Sequence, residues 1–453
     1  GIHTKKTRTL SRLPSVCTIA DHHTPLRSLL NRGAASSSSR PPPAPGATDR
    51  SSAYTLHMTW WLPLAVILVA GAALLLALPA SVLFVECIAS LVARTPHPRA
   101  RPIGPSVAIL IPAHDEEVGI QHTIESLQRQ LRDGDRVLLV ADNCSDQTAN
   151  LAEGAGAEVI ERFDSERRGK GYALHFGIEW LSSSPPDVFV VVDADCSLSP
   201  GAIDTLVSKA ADLNRPVQAD YVLSPTSVTG LSIVSALAML VRNRVRPQGL
   251  HRLGLPCHLM GTGMAFPWRA IAEMPSLDAE LAEDLVMGVE LALAGYAPLF
   301  CPECSVLGEL PSSNKVAKQQ RVRWEHGHLA TLFRYGPRAL WQGLRTGRLA
   351  LISTGLDLMI PPIALLVAAQ LLVLVLAVGV AALGGSPVPA VVAATSVALV
   401  GVAVLLGWAR FGRGLIPFRS LAVAPLYLLW KVPIYLRYFT GRREREWRRT
   451  DRS

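Results

Sequence analysis

The chain has 453 residues, 49% of them hydrophobic, and a mean hydropathy of +0.28. That is enough for two or three domains and more apolar than a soluble enzyme requires, so part of the chain is expected in a membrane. The net charge of +8 sits at the two ends. Residues 1–57 hold eight Lys/Arg against two Asp/Glu, and residues 431–453 eight against three, which leaves the middle slightly acidic. Such a distribution argues for attraction to membrane lipids and against a nucleic-acid groove.

Residues 1–57 are rich in Ser, Pro, Arg and His and show no apolar periodicity, so disorder is expected. Met58 stands directly before the first apolar run and is expected to be the biological start, with 1–57 an upstream extension; a genuine disordered tail is the alternative. Residues 58–94 read as a retained membrane anchor, apolar from Trp60 to Ala93 except for Glu86. Arg94, Arg99 and Arg101 follow it, which by the positive-inside rule predicts a cytoplasmic central domain.

Between 105 and 330, strand-like and helix-like segments alternate, the pattern of an α/β domain with a largely parallel sheet. Expected strands cover 106–113, 137–143 and 188–195, with a helix at about 117–131. Two of these strands run into acidic residues at their carboxyl ends, where open α/β sheets bind ligands. The region 349–440 returns to membrane-grade hydropathy. Pro361–Leu383 and Val388–Trp408 read as two spans forming a hairpin. The stretch 420–439 carries Lys431 and Arg437 and reads as interfacial, as does 351–359 with Asp357. Three spans are expected, with four the near alternative, and 441–453 form a basic cytoplasmic tail. Seven scattered cysteines suggest a reducing compartment, and the single CxxC, Cys301 to Cys304, reads as structural because no second ligand pair is placed for zinc.

The chemistry is concentrated in an ordered series of motifs. Glu116 lies in the acidic turn after the first strand. Asp142 closes the second strand, where its carboxylate can accept hydrogen bonds from a base or ribose; an Asx turn capping the next helix is the alternative, and Asp146 suits it better. Lys170, in a Gly-Lys-Gly helix start, can meet a diphosphate or merely face solvent. Asp193 and Asp195 end an apolar strand, and hard oxygen ligands of this kind suit Mg²⁺ or Mn²⁺ carrying substrate phosphates. Gly261, Thr262 and Gly263 permit close backbone approach to a ligand, or form a plain turn. Glu283 and Asp284 open a helix that ends at Gly295, and carboxylates there also favour the helix dipole. Gln320, Arg323 and Trp324 offer an amide, a guanidinium and an indole face to a sugar diphosphate, or form an interfacial helix.

In this order, the motifs resemble those of membrane-bound family 2 glycosyltransferases of the cellulose synthase and hyaluronan synthase type. The resemblance implies a GT-A fold flanked by transmembrane helices, a UDP-sugar donor, a divalent cation and inversion at the anomeric carbon. It implies that Glu116, Asp142 and Lys170 serve the nucleotide, and Asp193 with Asp195 the diphosphate and metal. Asp284, beside Glu283, would be the general base, Gly261 to Gly263 would border the acceptor, and Gln320, Arg323 and Trp324 would organise donor and acceptor. It also implies work at the inner face of the cell membrane on a lipid-linked or polysaccharide acceptor, in cell-surface or extracellular polysaccharide synthesis. An inactive nucleotide-sugar or glycan binding protein is the alternative, although its expected sign, a damaged motif, is missing.

Overall fold

The computed structural model describes residues 50–92, 104–224, 230–272, 282–309 and 314–441. The expected disorder of 1–49 and the basic tail 442–453 lie outside them. Of the first 56 residues only 50–56 are described, as the start of the helix Arg50–Ala89, which therefore begins eight residues ahead of the expected anchor.

Among the described residues, eight strands form one sheet: β1 Val107–Ala113, β2 Arg136–Asp142, β3 Glu158–Arg162, β4 Val188–Val191, β5 Ser197–Leu198, β6 Val217–Ser224, β7 Met264–Pro267 and β8 Leu299–Glu309. Their order is β3-β2-β1-β4-β7-β6-β8-β5. The first four are parallel, as the alternating pattern predicts. The second half departs from that expectation, because β7 enters antiparallel between β4 and β6. Strand direction there depends on which loop returns to the centre, and hydropathy does not encode that.

β1 and β4 are almost wholly buried because helices cover both faces of the sheet. One face packs on helices Ile120–Gln128 and Ala202–Leu213, and the other on Lys170–Leu181 and Glu283–Ala294. The helix expected at 117–131 is shorter at both ends. Glu116 and Glu117 spend their backbone amides on Thr148 and Asp146 in the preceding turn, and Gly119 takes the N-cap position. β4 also stops at Val191, so Asp193 and Asp195 lie in a turn beyond it and not on the strand itself. In β8 an irregularity separates the pairs Ala219–Cys301 and Asp220–Ser305, which places the CxxC in a bulge. Cys301 and Cys304 are free, buried thiols there, 3.6 Å apart.

Among the described residues, three helices are long and apolar enough to cross a membrane: Trp60–Ala89, Ile363–Ala382 and Val388–Gly412. A third core joins them to the helices Gly230–Leu240 and Val241–Val245 through Leu83, Leu240, Val245, Leu366 and Val400. The segment expected to be interfacial at 420–439 contains the 16-residue helix Ala424–Phe439, in which Lys431 is buried against Glu325. Asp357 differs from its expected surface placement. Its helix, Leu349–Leu358, buries Leu351 and Leu358, and its carboxylate pairs with Arg246, which also holds Glu86 of the first membrane helix at 2.9 Å.

Candidate active site

The carboxyl ends of β1, β2 and β4 open on one edge of the sheet, and the predicted side chains gather there. Lys170, at the start of Lys170–Leu181, pairs with the Asp193 carboxylate and donates to the Gly261 carbonyl at 2.7 Å. Burial opposes the Lys170 charge, but Asp193, Glu283 and Asp284 outweigh it and hold the ammonium pKa above its usual value. The Asp193 backbone N–H donates to Thr262 Oγ1 at 3.1 Å, tying the metal motif to the small-residue loop.

That loop has to be glycine-rich. Gly261 and Gly263 adopt φ of +89° and +63°. A methyl group on Gly263 would come within 2.3 Å of Val306 Cγ2. On Gly261 it would lie 3.3 Å from Lys170 Nζ and 3.7 Å from Asp284 Oδ2, so loop, lysine and candidate base converge. Asp284 Oδ1 accepts from the Leu285 N–H at 2.8 Å, within the first turn of its helix. Burial, then the Asp284 charge, pushes the Glu283 carboxyl up to about 7, against the pull of Lys170 and Arg323. Arg323 therefore acts on the same site.

The acids at the end of β4 suit a cation. Ligand atoms of Asp193, Asp195 and Cys196 all lie within 4.8 Å of one another. The Cys196 thiol is buried and donates to Asp195 Oδ1 at 3.7 Å, which leaves the two carboxylates as the hard donors. Oxygen donors of this kind fit Mg²⁺ or Mn²⁺ better than a thiophilic metal.

The neighbouring part of this edge is built on β2 and β3. Asp142 is buried and accepts from Arg162 Nη1 at 2.6 Å, its register partner on the neighbouring strand. Burial pushes the Asp142 carboxyl up, and Arg162 opposes the shift. Arg162 also reaches Asp164 at 3.2 Å and lies over the Tyr172 ring. Sequence reading missed this brace, because only the register brings Arg162 to Asp142. Asp146 caps the next helix through the Thr148 N–H at 3.0 Å, as expected. Glu116 stands in the β1 turn beside that cap, with its backbone N–H on Thr148.

The last motif divides. Gln320, Arg323 and Trp324 all lie on the helix Asn314–Thr346. Arg323 works on Glu283, while Gln320 is buried and Trp324 packs into the membrane-side core. Trp324 also lines a cavity with Arg321 of the same motif and with Arg242, Arg246 and Lys431, residues to which no sequence motif pointed.

Residues 105–327 match the family model described as "Glycosyltransferase like family 2". The chain is similar to the probable glycosyltransferase YdaM of Bacillus subtilis, with 26% identity over 260 residues, 51% of this chain and 57% of that protein. It thus spans little more than half of that relative. An uncharacterized glycosyltransferase of Mycobacterium tuberculosis is 28% identical over 200 residues, 43% of this chain and 82% of that protein. Among solved structures, the fold is similar to the mannosyltransferase PcManGT from Pyrobaculum calidifontis in complex with GDP-Man and Mn²⁺. The TM-score is 0.52 at 17% identity, covering 84% of this chain and 99% of that one. Residues 105–327 therefore belong with the family 2 glycosyltransferases, and the mixed sheet they form is of the GT-A type.

Proposed function

We propose that the protein is an inverting, metal-dependent glycosyltransferase. It would move a sugar from a nucleotide-sugar donor, a UDP-sugar in the first instance, to a lipid-linked or polysaccharide acceptor. The work would take place at the cytoplasmic face of the cell membrane, in the synthesis of cell-surface or extracellular polysaccharide. The observation that carries this reading is the meeting of Lys170, Asp193, Gly261 and Asp284 at the carboxyl edge of the sheet. Three helices apolar enough to span a bilayer support the membrane setting, and Arg94, Arg99 and Arg101 after the first support the cytoplasmic side.

Asp142, braced by Arg162, would receive the nucleotide, with Glu116 beside it in the β1 turn. Asp193 and Asp195 would hold Mg²⁺ or Mn²⁺, and the similarity to a mannosyltransferase solved with Mn²⁺ supports such a cation. When bound, the cation stabilises negative charge on the leaving diphosphate. Lys170 adds a second positive charge on that side, and Arg323 a third near Glu283. Asp284 would take the acceptor hydroxyl proton, with Glu283 beside it sharing the charge of the pair. Gly261, Thr262 and Gly263 would border the acceptor, and Gln320 and Trp324 its entry. One base facing one leaving group gives a single displacement and hence inversion.

The test is a panel of UDP- and GDP-sugars with membranes containing the full chain, scored for nucleoside diphosphate release, with Asp284→Asn alongside. The variant keeps size and polarity but cannot accept the proton. Turnover should fall by about 10²–10⁴ while donor affinity holds. Wild-type turnover in Asp284→Asn would assign the base elsewhere.

A further inference from the structure

The proposed reaction leaves one cluster of charged side chains unused, at the junction of the catalytic domain and the membrane helices. A cavity lies there with about 660 Å³ of atom-free space, part of it open to solvent. Its walls come from the Gly230–Leu240 helix and its helical continuation through Val241–Val245 and Arg246–Arg252, the Asn314–Thr346 helix, the entry to the second span, and the Ala424–Phe439 helix. Ala238, Met239 and Ile363 make one side apolar.

Four cations line the rest, and two of them are matched. Arg246 is paired with Glu86 and Asp357, and Lys431 with Glu325. Arg242 makes no hydrogen bond or ion pair among the described residues. Arg321 is only 8% exposed, and its contact among them is a stack over the Trp430 ring at 5.4 Å. Burial depresses both guanidinium pKa values, offset only in part by Asp284 at Arg242 and by Tyr427 and Glu325 at Arg321. His328 in the same wall is held neutral by burial and by Arg242 and Arg246, so it adds no charge. The cavity and the transfer site share the Asn314–Thr346 helix. Among acidic groups, Asp284 acts most strongly on Arg242, and Trp324 in the cavity wall is the chain neighbour of Arg323, which acts on Glu283.

We infer that this cavity takes a lipid headgroup bearing a phosphate and a free hydroxyl, with the phosphate on Arg242 and Arg321 and the apolar chain along Ala238, Met239 and Ile363. The inference rests on the transfer reaction proposed above and names its acceptor class. Two guanidiniums with open donors on one cavity suit a phosphate, which each can bind in bidentate fashion. The apolar wall at the start of a span suits an acyl chain. The hydroxyl follows from the base: a phosphate monoester oxygen would attack without proton removal, whereas Asp284 has a role only if an O–H is lost. In the transfer, the hydroxyl oxygen bonds to the anomeric carbon. The bond from that carbon to the diphosphate oxygen breaks with its electron pair, and the proton passes to Asp284.

The test measures binding, independent of turnover. The full chain in a neutral detergent is titrated with dioctanoyl phosphatidylglycerol, with dioctanoyl phosphatidylcholine and millimolar inorganic phosphate as comparison arms. Phosphatidylglycerol should bind at least about tenfold tighter than phosphatidylcholine and resist displacement by phosphate. Arg242→Gln and Arg321→Gln should each weaken it by about tenfold, while Asp284→Asn should leave it intact. Should the Gln variants not fold, Arg242→Lys and Arg321→Lys should still lose severalfold, because a point charge replaces the planar fork. Equal retention of phosphatidylcholine overturns the inference. So does complete displacement by phosphate, which would mark a free-anion site, and so does unchanged affinity in the folded arginine variants. Because the binding titration involves no proton transfer, failure of the base assignment leaves this result readable, and the reverse holds too.

Discussion

Replacing Gly261 by alanine tests whether the glycine loop sets the transfer geometry. The residue sits at φ +89°, and its carbonyl accepts from Lys170 at 2.7 Å. Holding alanine in the left-handed region costs about 1–2 kcal/mol. The new methyl would lie 3.3 Å from Lys170 Nζ and 3.7 Å from Asp284 Oδ2, so the lysine has to give way first. Loosening a charge-assisted hydrogen bond adds about 1.5–3 kcal/mol. If the whole penalty falls on the transition state, about 2.5–5 kcal/mol corresponds to a rate loss of roughly 10²–10³ or somewhat more. Gly254→Ala is the control: Gly254 has φ +71° with nothing within 4 Å, so it carries the backbone cost without the neighbours. Nucleoside diphosphate release by the full chain in detergent should fall steeply in Gly261→Ala and stay within about twofold in Gly254→Ala. Comparable turnover in the two variants would refute the argument, because backbone strain alone would then account for the effect.

Further outcomes follow from the same geometry. Asp195→Ala should abolish turnover and Mn²⁺ binding with the fold intact, and excess EDTA should silence the wild type; full activity under both conditions contradicts the cation assignment. Asp142→Ala should weaken nucleotide binding, read by calorimetry, more than it slows turnover at saturating donor, and it leaves Arg162 without its closest partner. Gly249→Ala addresses the anchor. A methyl there would lie 1.8 Å from the Glu86 carbonyl oxygen, so the first membrane helix must move and strain the 2.9 Å Arg246–Glu86 pair. A loss of about 3 kcal/mol or more in stability is expected, and a Tm within about 2 °C of wild type would argue against that packing.

The amino-acid sequence by itself determined what is local or periodic. The apolar runs made the membrane-grade helices, because length and hydropathy along the chain suffice to satisfy a bilayer. The apolar strands Val107–Ala113 and Val188–Val191 announced a buried sheet, and the acids at the ends of the second strand and of Val188–Val191 announced a candidate ligand edge. Gly295, with φ +106°, ended the candidate-base helix where expected. Tertiary structure decided what depends on register and return path. The antiparallel entry of Met264–Pro267 brings the glycine loop to Asp193, and Lys170 reaches both across 23 and 91 residues of chain. Arg162 meets Asp142 only because their strands pair in that register. Arg246 gathers Glu86 and Asp357 from 160 and 111 residues away, while Arg242 and Arg321 in the same cavity make no ion pair among the described residues. Charge pairing is a sum over neighbours in space, and spacing along the chain does not reveal which arginine finds its acid and which is left to a ligand.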